Sequence, residues 1–294
     1  MSKAEPPVIT VHQDVQFFRE ALRFTAAQSG FTERLIEKDY FCTVLLAYLD
    51  AAAGADLVFK GGTCLTKVHS ELYRLSEDLD YTIPVPFETS RSERSRRIEG
   101  VKAALSQVKQ SLPAFRVVEP LRGANNSTQY VATLAYSSMI SRKDETIKIE
   151  VSLREPLLMP IAQAHARTLL LDPVSNTAVV SPLSLSNIAK TEAFAEKFRA
   201  ALSRRDVAIR DFYDIDHAVQ KDGLPPKSAE LIGQVKQKIA VPGNDPVNVS
   251  AGRLATLRAQ LDHQLRPVLR EQDFGEFDLD RSFRIVVEMG KAVA

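Results

Sequence analysis

Apolar and polar positions alternate with two different periods along the chain. Apolar residues three and four apart, the spacing of helices, predict two N-terminal helices over residues 12–28 and 32–53. Alternation residue by residue is typical of strands, and it predicts strands over residues 57–59, 78–83, 115–119, 129–136, 145–153 and 177–180, with one helix over residues 92–112. After Pro182 the helical spacing returns and predicts helices over residues 183–203, 208–221, 227–239, 249–265 and 279–292.

This order of elements predicts an α+β protein in three parts. N-terminal helices (residues 1–55) pack on a core with a mixed sheet and helices (residues 56–181), and a C-terminal helical domain follows (residues 182–294). The chain has 294 residues, 45% of them hydrophobic, which is enough to bury a substantial core. We therefore expect an ordinary globular protein.

The predicted strand over residues 78–83 contains two aspartates that are candidate metal ligands. Asp78 and Asp80 are two positions apart, so on a strand their side chains share one face. Two carboxylates held together repel each other unless a cation lies between them, and oxygen ligands without His or Cys favour Mg²⁺ or Mn²⁺. The pattern indicates a metal-bound triphosphate as ligand. The alternative is a pair of charges that keeps an edge strand soluble.

A glycine pair lies between the predicted strand over residues 57–59 and a short helical pattern. Gly61 and Gly62 permit a tight turn, and Thr63 is a candidate helix cap. Backbone N–H groups at such a helix start bind phosphate, and Lys60 or Lys67 could add a cation. The alternative is a turn without any ligand, since glycine is common in turns.

A third acid on a neighbouring strand would complete a two-metal site. Glu150 is the first candidate, because the alternation over residues 146–152 places it with Lys148 on the polar face of a strand. From this segment alone, an amphipathic edge strand with solvated charges is an equally simple interpretation. Glu155 is a second candidate, but Pro156 after it favours a position at the strand end.

The C-terminal half contributes cations on a predicted helix. Lys197 and Arg205 are eight positions apart, which predicts that they lie two turns apart on one helical face and could hold triphosphate oxygens. The alternative is an exposed amphipathic helix whose cations extend into solvent.

Charge and cysteine content limit the class of protein. The formal net charge of +1 argues against a protein that coats nucleic acid through its overall field. RNA contacts would have to come from two basic stretches, residues 91–116 and 190–210, although such runs are also typical of solvated helix faces. Cys42 and Cys64 are too few for a disulfide framework, which predicts reduced, buried thiols and a cytoplasmic location. No signal peptide or membrane span is predicted.

Several motifs together resemble one known family. The shared features are a Lys-Gly-Gly-Thr turn, an Arg-x-Ser-Glu-Asp-Leu-Asp-Tyr segment, a helical lysine and an Arg-Asp-x-x-Asp element. They occupy residues 60–63, 74–81, 195–205 and 210–214. With the lead-in segment 36–40, they resemble the AbiEii/AbiGii (MenT-like) toxin family of nucleotidyltransferases, over about residues 30 to 217.

The resemblance implies a polymerase-β-type nucleotidyltransferase core and a set of residue roles. By this analogy Asp78, Asp80 and Glu150 are metal ligands for Mg²⁺, with Mn²⁺ possible. The residues implied to bind the nucleotide are Lys60, Gly61, Gly62, Thr63, Ser76, Lys197 and Arg205. Those implied in catalysis are Asp78, Asp80, Glu150, Lys197 and Asp211. The resemblance makes Asp211 or Asp214 part of the site, with Asp211 expected to orient Lys197 or Arg205; the alternative is a pair between Arg210 and Asp214 that only stabilises the helix.

The implied activity is transfer of a nucleoside monophosphate from an NTP to RNA, with the 3′ end of tRNA as acceptor. The implied biology is a phage-defence toxin silenced by a cognate antitoxin of winged-helix type. Two alternatives remain at this point: an NTP-binding or RNA-binding toxin component without turnover, and transfer of the nucleotide to a small molecule or a protein.

Overall fold

The computed structural model describes residues 9–54 and 56–294, and its contacts divide the chain into two compact units. Unit 1 comprises residues 1–157 and 161–188, and unit 2 comprises residues 158–160 and 189–294. A seven-stranded sheet with flanking helices makes up unit 1, and helices make up unit 2, so the predicted α+β class is confirmed. The division after residue 188 differs from the predicted boundary after residue 181.

Unit 1 contains five α-helices and seven strands among its described residues. Its elements are α1 (Val15–Ser29), α2 (Glu33–Ala52), β1 (Val58–Lys60), α3 (Gly61–Cys64), β2 (Leu79–Thr82), α4 (Arg91–Arg97), α5 (Glu99–Ser111), β3 (Phe115–Ala124), β4 (Gln129–Ser137), β5 (Asp144–Ser152), β6 (Ala162–Ala166) and β7 (Leu183–Asn187). A π-helical turn (Leu65–His69) continues α3.

The strand order of the sheet is β3-β4-β5-β2-β1-β7-β6. Strand β2 lies near its middle, parallel to β5 on one side and antiparallel to β1 on the other. The apolar residues of the central strands, among them Phe59, Leu79 and Ile149, are almost completely buried on one face. Period-two alternation therefore leaves the other face of β2 and β5 for polar side chains.

Helix α2 is buried along most of its length, including three consecutive charged residues. Asp39 forms an ion pair with Lys67, with 2.7 Å between Oδ1 and Nζ, and both side chains are almost fully buried. Glu37 accepts hydrogen bonds from the Ser138 hydroxyl and from the Met139 N–H. Because buried charges are costly without partners, these pairs explain how polar residues can occupy the interior of this helix.

Unit 2 consists of α6 (Lys190–Ser203), α7 (Ile209–Gln220), α8 (Ala229–Ile239), α9 (Ala251–Gln260), α10 (Glu271–Glu276) and α11 (Leu279–Val293). Helix α6 packs against α7 and α8, and α11 packs against α6, α7 and α8. Glu192 explains why residues 158–160 belong to this unit, since its carboxylate accepts the N–H groups of Leu158 and Met159 at 2.9 Å. Lys238 neutralises that buried carboxylate, with an Nζ–Oε1 distance of 2.7 Å.

Several elements of the structure differ from the prediction. The predicted helix over residues 183–203 begins only at Lys190, because residues 183–187 form β7 and pair with β1 and β6. In the predicted strand over residues 177–180, only Ala178 forms an isolated bridge, with Leu171. Strand β6 was not predicted, and the helix over residues 92–112 is divided at Ile98. Short apolar runs cannot distinguish a buried strand from the first turns of a helix, since their pattern fits both periods.

No helix in the part of the chain that the structure describes has the length and apolarity needed to cross a bilayer. Cys42 and Cys64 are buried thiols outside any disulfide, as the sequence predicted.

The buried pair between Lys67 and Asp39 predicts a large effect on stability. Lys67→Met removes the ammonium and leaves the Asp39 carboxylate buried without this cation, so we expect the free energy of unfolding to fall by about 3 kcal/mol. The control is Lys102→Met, which removes an exposed pair with Glu99 and should cost less than about 1 kcal/mol. Urea titration followed by circular dichroism measures both; equal losses would contradict this interpretation of the pair.

Candidate active site

The register of three adjacent strands brings the main predicted site residues of unit 1 into one row. Asp80 on β2 is paired with Lys60 on β1 and with Glu150 on β5. Residues directly opposite in a ladder point to the same face of the sheet. Asp78 lies two positions before Asp80, and its Oδ1 accepts a hydrogen bond from the Lys148 N–H at 3.4 Å. Two aspartates and one glutamate therefore converge on a partly exposed face of unit 1.

Lys148 lies beside these carboxylates on the polar face of β5. Its Nζ is 2.8 Å from Oε2 of Glu150, and 46% of the lysine side chain is exposed. Burial alone would raise the pKa of Glu150, but the hydrogen bond and charge of Lys148, together with Gln129 and Lys60, lower the pKa below its ordinary value. Glu150 is consequently held in its charged form.

The donor chemistry of this face fits a hard divalent cation. Within residues 9–54 and 56–294, no three Asp, Glu, His or Cys side chains are close enough to form a metal cage by themselves. Mg²⁺ rarely uses such cages, because it is usually held by one or two carboxylates together with waters and substrate phosphates. Asp78 and Asp80 provide two such carboxylates. Glu150 is the neighbouring acid, and its Oε2 accepts a hydrogen bond from Lys148.

The glycine turn lies directly against this row of acids. Gly61 has a φ of +75°, a backbone conformation that favours glycine, and a Cβ added there would lie 2.1 Å from Oδ2 of Asp80. A Cβ on Gly62 would lie 2.7 Å from Nη2 of Arg74 and 3.1 Å from Oγ of Ser76. Both glycines are therefore required for the close approach of the turn to Asp80 and Arg74.

Thr63 does not cap the helix, contrary to its predicted structural role. The N-cap position of α3 is Lys60, and the Thr63 hydroxyl donates a hydrogen bond to the backbone carbonyl of Asp78. The residue is buried, so its hydroxyl ties the glycine turn to the aspartate segment. The π-helical turn that continues α3 ends at His69.

Glu77 anchors the aspartate segment to helix α2. Its Oε1 is 3.5 Å from Nζ of Lys38 and 3.5 Å from Nη2 of Arg34. Arg34 also pairs with Glu145 at the start of β5, at 2.8 Å. These contacts link α2, the segment before β2 and the start of β5, and so help to fix the strands that carry the site acids.

In unit 2, Lys197 forms the centre of a largely buried ion cluster. Its Nζ is 2.8 Å from Oδ1 of Asp211 and 2.8 Å from Oδ2 of Asp214. The Asp214 side chain is fully buried, and Arg204 approaches Asp211 at 3.4 Å. Asp211 and Asp214 on α7 therefore both pair with Lys197 on α6, and the cluster joins the two helices.

The predicted placement of Arg205 beside Lys197 on one helical face is wrong. Helix α6 ends at Ser203, and Arg204 has the extended backbone of a terminating residue, so Arg205 lies beyond the helix. Its side chain is 86% exposed and approaches Asp245 at 3.8 Å. The eight-residue spacing would place the two cations together only if the helix continued through both positions.

The basic stretch over residues 91–116 is less positive than its sequence indicates. Arg94 is buried, and most of the remaining cations pair with acids: Arg96 with Glu93, Arg97 with Asp56, Lys102 with Glu99 and Arg116 with Asp144. In the stretch over residues 190–210, Lys197 and Arg204 are engaged with Asp211. Local pairing therefore weakens the electrostatic case for an RNA surface at both places.

Two residues of this site were given no role from the sequence. Arg74 is 1% exposed and lies behind Gly62, with Nη1 donating to the Leu75 carbonyl at 3.3 Å. Lys148 adjoins the acids because it shares the polar face of β5 with Glu150. The alternation over residues 146–152 shows that shared face, but it does not show which strand lies alongside.

Comparison with known families agrees with this arrangement of motifs. The family model described as "Nucleotidyl transferase AbiEii toxin, Type IV TA system" matches residues 43–288, which is most of the chain. The chain belongs to the AbiEii nucleotidyltransferase toxin family. The predicted family is thereby confirmed, and the match extends well into unit 2. The segment 36–40 lies outside the matched range.

Solved structures support the fold assignment of this AbiEii family member. JHP933 from Helicobacter pylori is 15% identical, with a TM-score of 0.50 over 90% of this chain and 93% of that chain. A candidate nucleotidyltransferase from H. pylori is 15% identical, with a TM-score of 0.51 over 90% of this chain and 96% of that chain. At this identity the likeness concerns the fold alone. No curated protein matches the chain.

Gly61 allows a direct test of the contact between the glycine turn and Asp80. We expect Gly61→Ala to destabilise the protein through two effects, the positive φ and the collision with Asp80. Gly223→Ala is the matched control, because Gly223 has a φ of +69° and nothing within 4 Å of its added Cβ. The control should lose about 1 kcal/mol, and Gly61→Ala at least about 1 kcal/mol more. Denaturant titration measures both, and equal losses would disprove the close approach.

The Lys197 cluster gives a second test. Lys197→Met leaves two aspartates in a buried position without their shared cation, so we expect a loss of about 3 kcal/mol in the free energy of unfolding. Arg204→Ala removes an arginine that is 57% exposed from the same cluster and should cost less than about 1 kcal/mol. Thermal and urea unfolding distinguish the two variants. A Lys197→Met protein as stable as wild type would show that the cluster is not a structural requirement.

Proposed function

We propose that this protein transfers a nucleoside monophosphate from an NTP to a hydroxyl group of RNA, releasing pyrophosphate. The observation that carries the proposal is the alignment of Lys60, Asp80 and Glu150 across β1, β2 and β5 in a member of a nucleotidyltransferase toxin family. A row of acids beside a glycine turn is an arrangement suited to a metal-bound triphosphate. The 3′ end of tRNA is the acceptor that the family resemblance implies.

The reaction replaces the O–H bond of the acceptor with an O–P bond and breaks one P–O bond of the NTP. The acceptor hydroxyl gives its proton to Glu150 or to solvent, and its oxygen attacks the α-phosphorus in line. The bond from that phosphorus to the bridging oxygen breaks, and pyrophosphate leaves with the electron pair. Asp78, Asp80 and Glu150 would hold divalent cations, which neutralise the phosphate charge. Gly61 and Gly62 bring the turn close to Asp80, where its backbone can approach phosphate oxygens, and Ser76 lies beside the same turn.

The remaining assignments rest on the family resemblance. Lys60 is aligned with Asp80 and is a candidate for neutralising phosphate charge. The nucleotide-binding roles of Thr63, Lys197 and Arg205 and the catalytic roles of Lys197 and Asp211 stay predictions. So do a winged-helix antitoxin, phage defence and the cytoplasmic location. The family description names a toxin–antitoxin system, from which we infer a cognate antitoxin.

A labelled transfer assay tests the proposal. The protein is incubated with each α-³²P-labelled NTP, total tRNA and Mg²⁺, and we expect label in a product that RNase degrades. EDTA should abolish the transfer, since the acids hold phosphate only through a cation. Label that resists RNase, on the protein or on a small molecule, would contradict an RNA acceptor.

Asp80→Asn is the decisive variant in this assay. The substitution keeps the shape of the side chain and removes its charge, so we expect transfer to fall by at least about a hundredfold. Asp56→Asn is the control, because Asp56 is exposed and pairs only on the surface with Arg97; it should transfer at the wild-type rate. Transfer at the wild-type rate by Asp80→Asn would overturn the proposal. Loss of transfer in both variants would show that the effect is not specific to Asp80.

A further inference from the structure

Lys148 brings a fixed positive charge to the row of acids. Its N–H donates to Oδ1 of Asp78, and its Nζ donates to Oε2 of Glu150 at 2.8 Å. The residue precedes Glu150 by two positions on the same strand, so both side chains share the polar face of β5. One lysine thus contacts two of the three proposed metal ligands, through its backbone and its side chain.

The ammonium of Lys148 is also within electrostatic reach of all three acids. Besides its hydrogen bond to Glu150, the ammonium has favourable charge interactions with Glu150, Asp80 and Asp78. Carboxylates gathered on one face repel each other, and a nearby cation relieves that repulsion. In the protein without metal, Lys148 supplies such a cation.

A divalent cation and this ammonium compete for the same oxygen. While Oε2 of Glu150 accepts the Lys148 hydrogen bond, a metal ion bound there would lie close to the ammonium, and the two positive charges would repel each other. Since 46% of the lysine side chain is exposed, it has room to move into solvent. Glu150 can therefore exchange one cation for the other without any change in the strands.

We propose that Lys148 is an internal counter-ion of the carboxylate site, which competes with the divalent cation for Glu150 and so sets the cation concentration at which the site fills. This inference rests on the proposed function, because it assumes that Asp78, Asp80 and Glu150 hold a divalent cation. Lys148 is a positioning residue in this scheme: it holds Glu150 in place until the metal-bound nucleotide arrives.

The test is a titration with Mn²⁺ alone, in which electron paramagnetic resonance measures the free ion. Lys148→Met removes the competing charge, so we expect Mn²⁺ to bind about two- to fivefold more tightly, the factor typical of a partly exposed ion pair. Lys148→Arg keeps the charge and should bind Mn²⁺ like wild type. Lys143→Met, at an exposed position just before β5, is the control for a general loss of positive charge.

A double-substitution cycle locates the effect at Glu150. In a Glu150→Gln background, Lys148→Met should no longer change Mn²⁺ affinity, because the carboxylate for which the cations compete is gone. Circular dichroism melting curves establish that each variant is folded. If Lys148→Arg folds and Lys148→Met does not, Lys148→Gln replaces it as the neutral variant.

The outcomes separate this inference from the proposed function. Unchanged or weaker Mn²⁺ binding by Lys148→Met, while Asp80→Asn loses the ion, overturns the counter-ion role and leaves the metal site standing. An equal gain from Lys143→Met also overturns it, because the effect would then be one of net charge. Wild-type protein that binds no Mn²⁺, or binds it as well as Asp80→Asn does, would overturn both.

Discussion

The hydrogen-bond register of β2 between β1 and β5 is the constraint on which the candidate site depends. Strand side chains alternate between faces, so a slip of one residue would turn Asp80 to the face where Leu79 and Tyr81 are now buried. The apolar residues of β2 and β5 fix the register, because their burial would be lost by the same slip. The core and the row of acids are therefore specified together.

The polar residues of α2 support this register from outside the sheet. Lys38 and Arg34 contact Glu77 just before the aspartates, Asp39 pairs with Lys67 after the glycine turn, and Arg34 reaches Glu145 on β5. Buried ion pairs add little net stability compared with apolar packing, yet each is costly to break. Here these ion pairs fix positions, because they attach both the segment before the aspartates and the helical turn after the glycines to α2.

Unit 2 has a cluster built by the same principle. Lys197 lies between Asp211 and Asp214. In the sequence it resembles a solvated cation on an amphipathic helix, but in the structure it forms internal ion pairs between α6 and α7. The nearby Arg205 differs because it lies past the helix end and is solvated. Two cations that sequence spacing treats as equivalent thus have different environments.

The sequence alone determined the family, the α+β class and the alternation that gives β2 and β5 one polar face, since these depend on local residue patterns. It also singled out Asp78, Asp80 and Glu150, which the structure brings together. It did not determine β6 and β7, the hydrogen bond of the Thr63 hydroxyl or the start of α6 at Lys190, because short segments fit more than one period until packing selects one. Only the tertiary structure decided which strands are neighbours, and therefore that Lys148 adjoins the acids, because strand pairing joins residues that are distant in the chain.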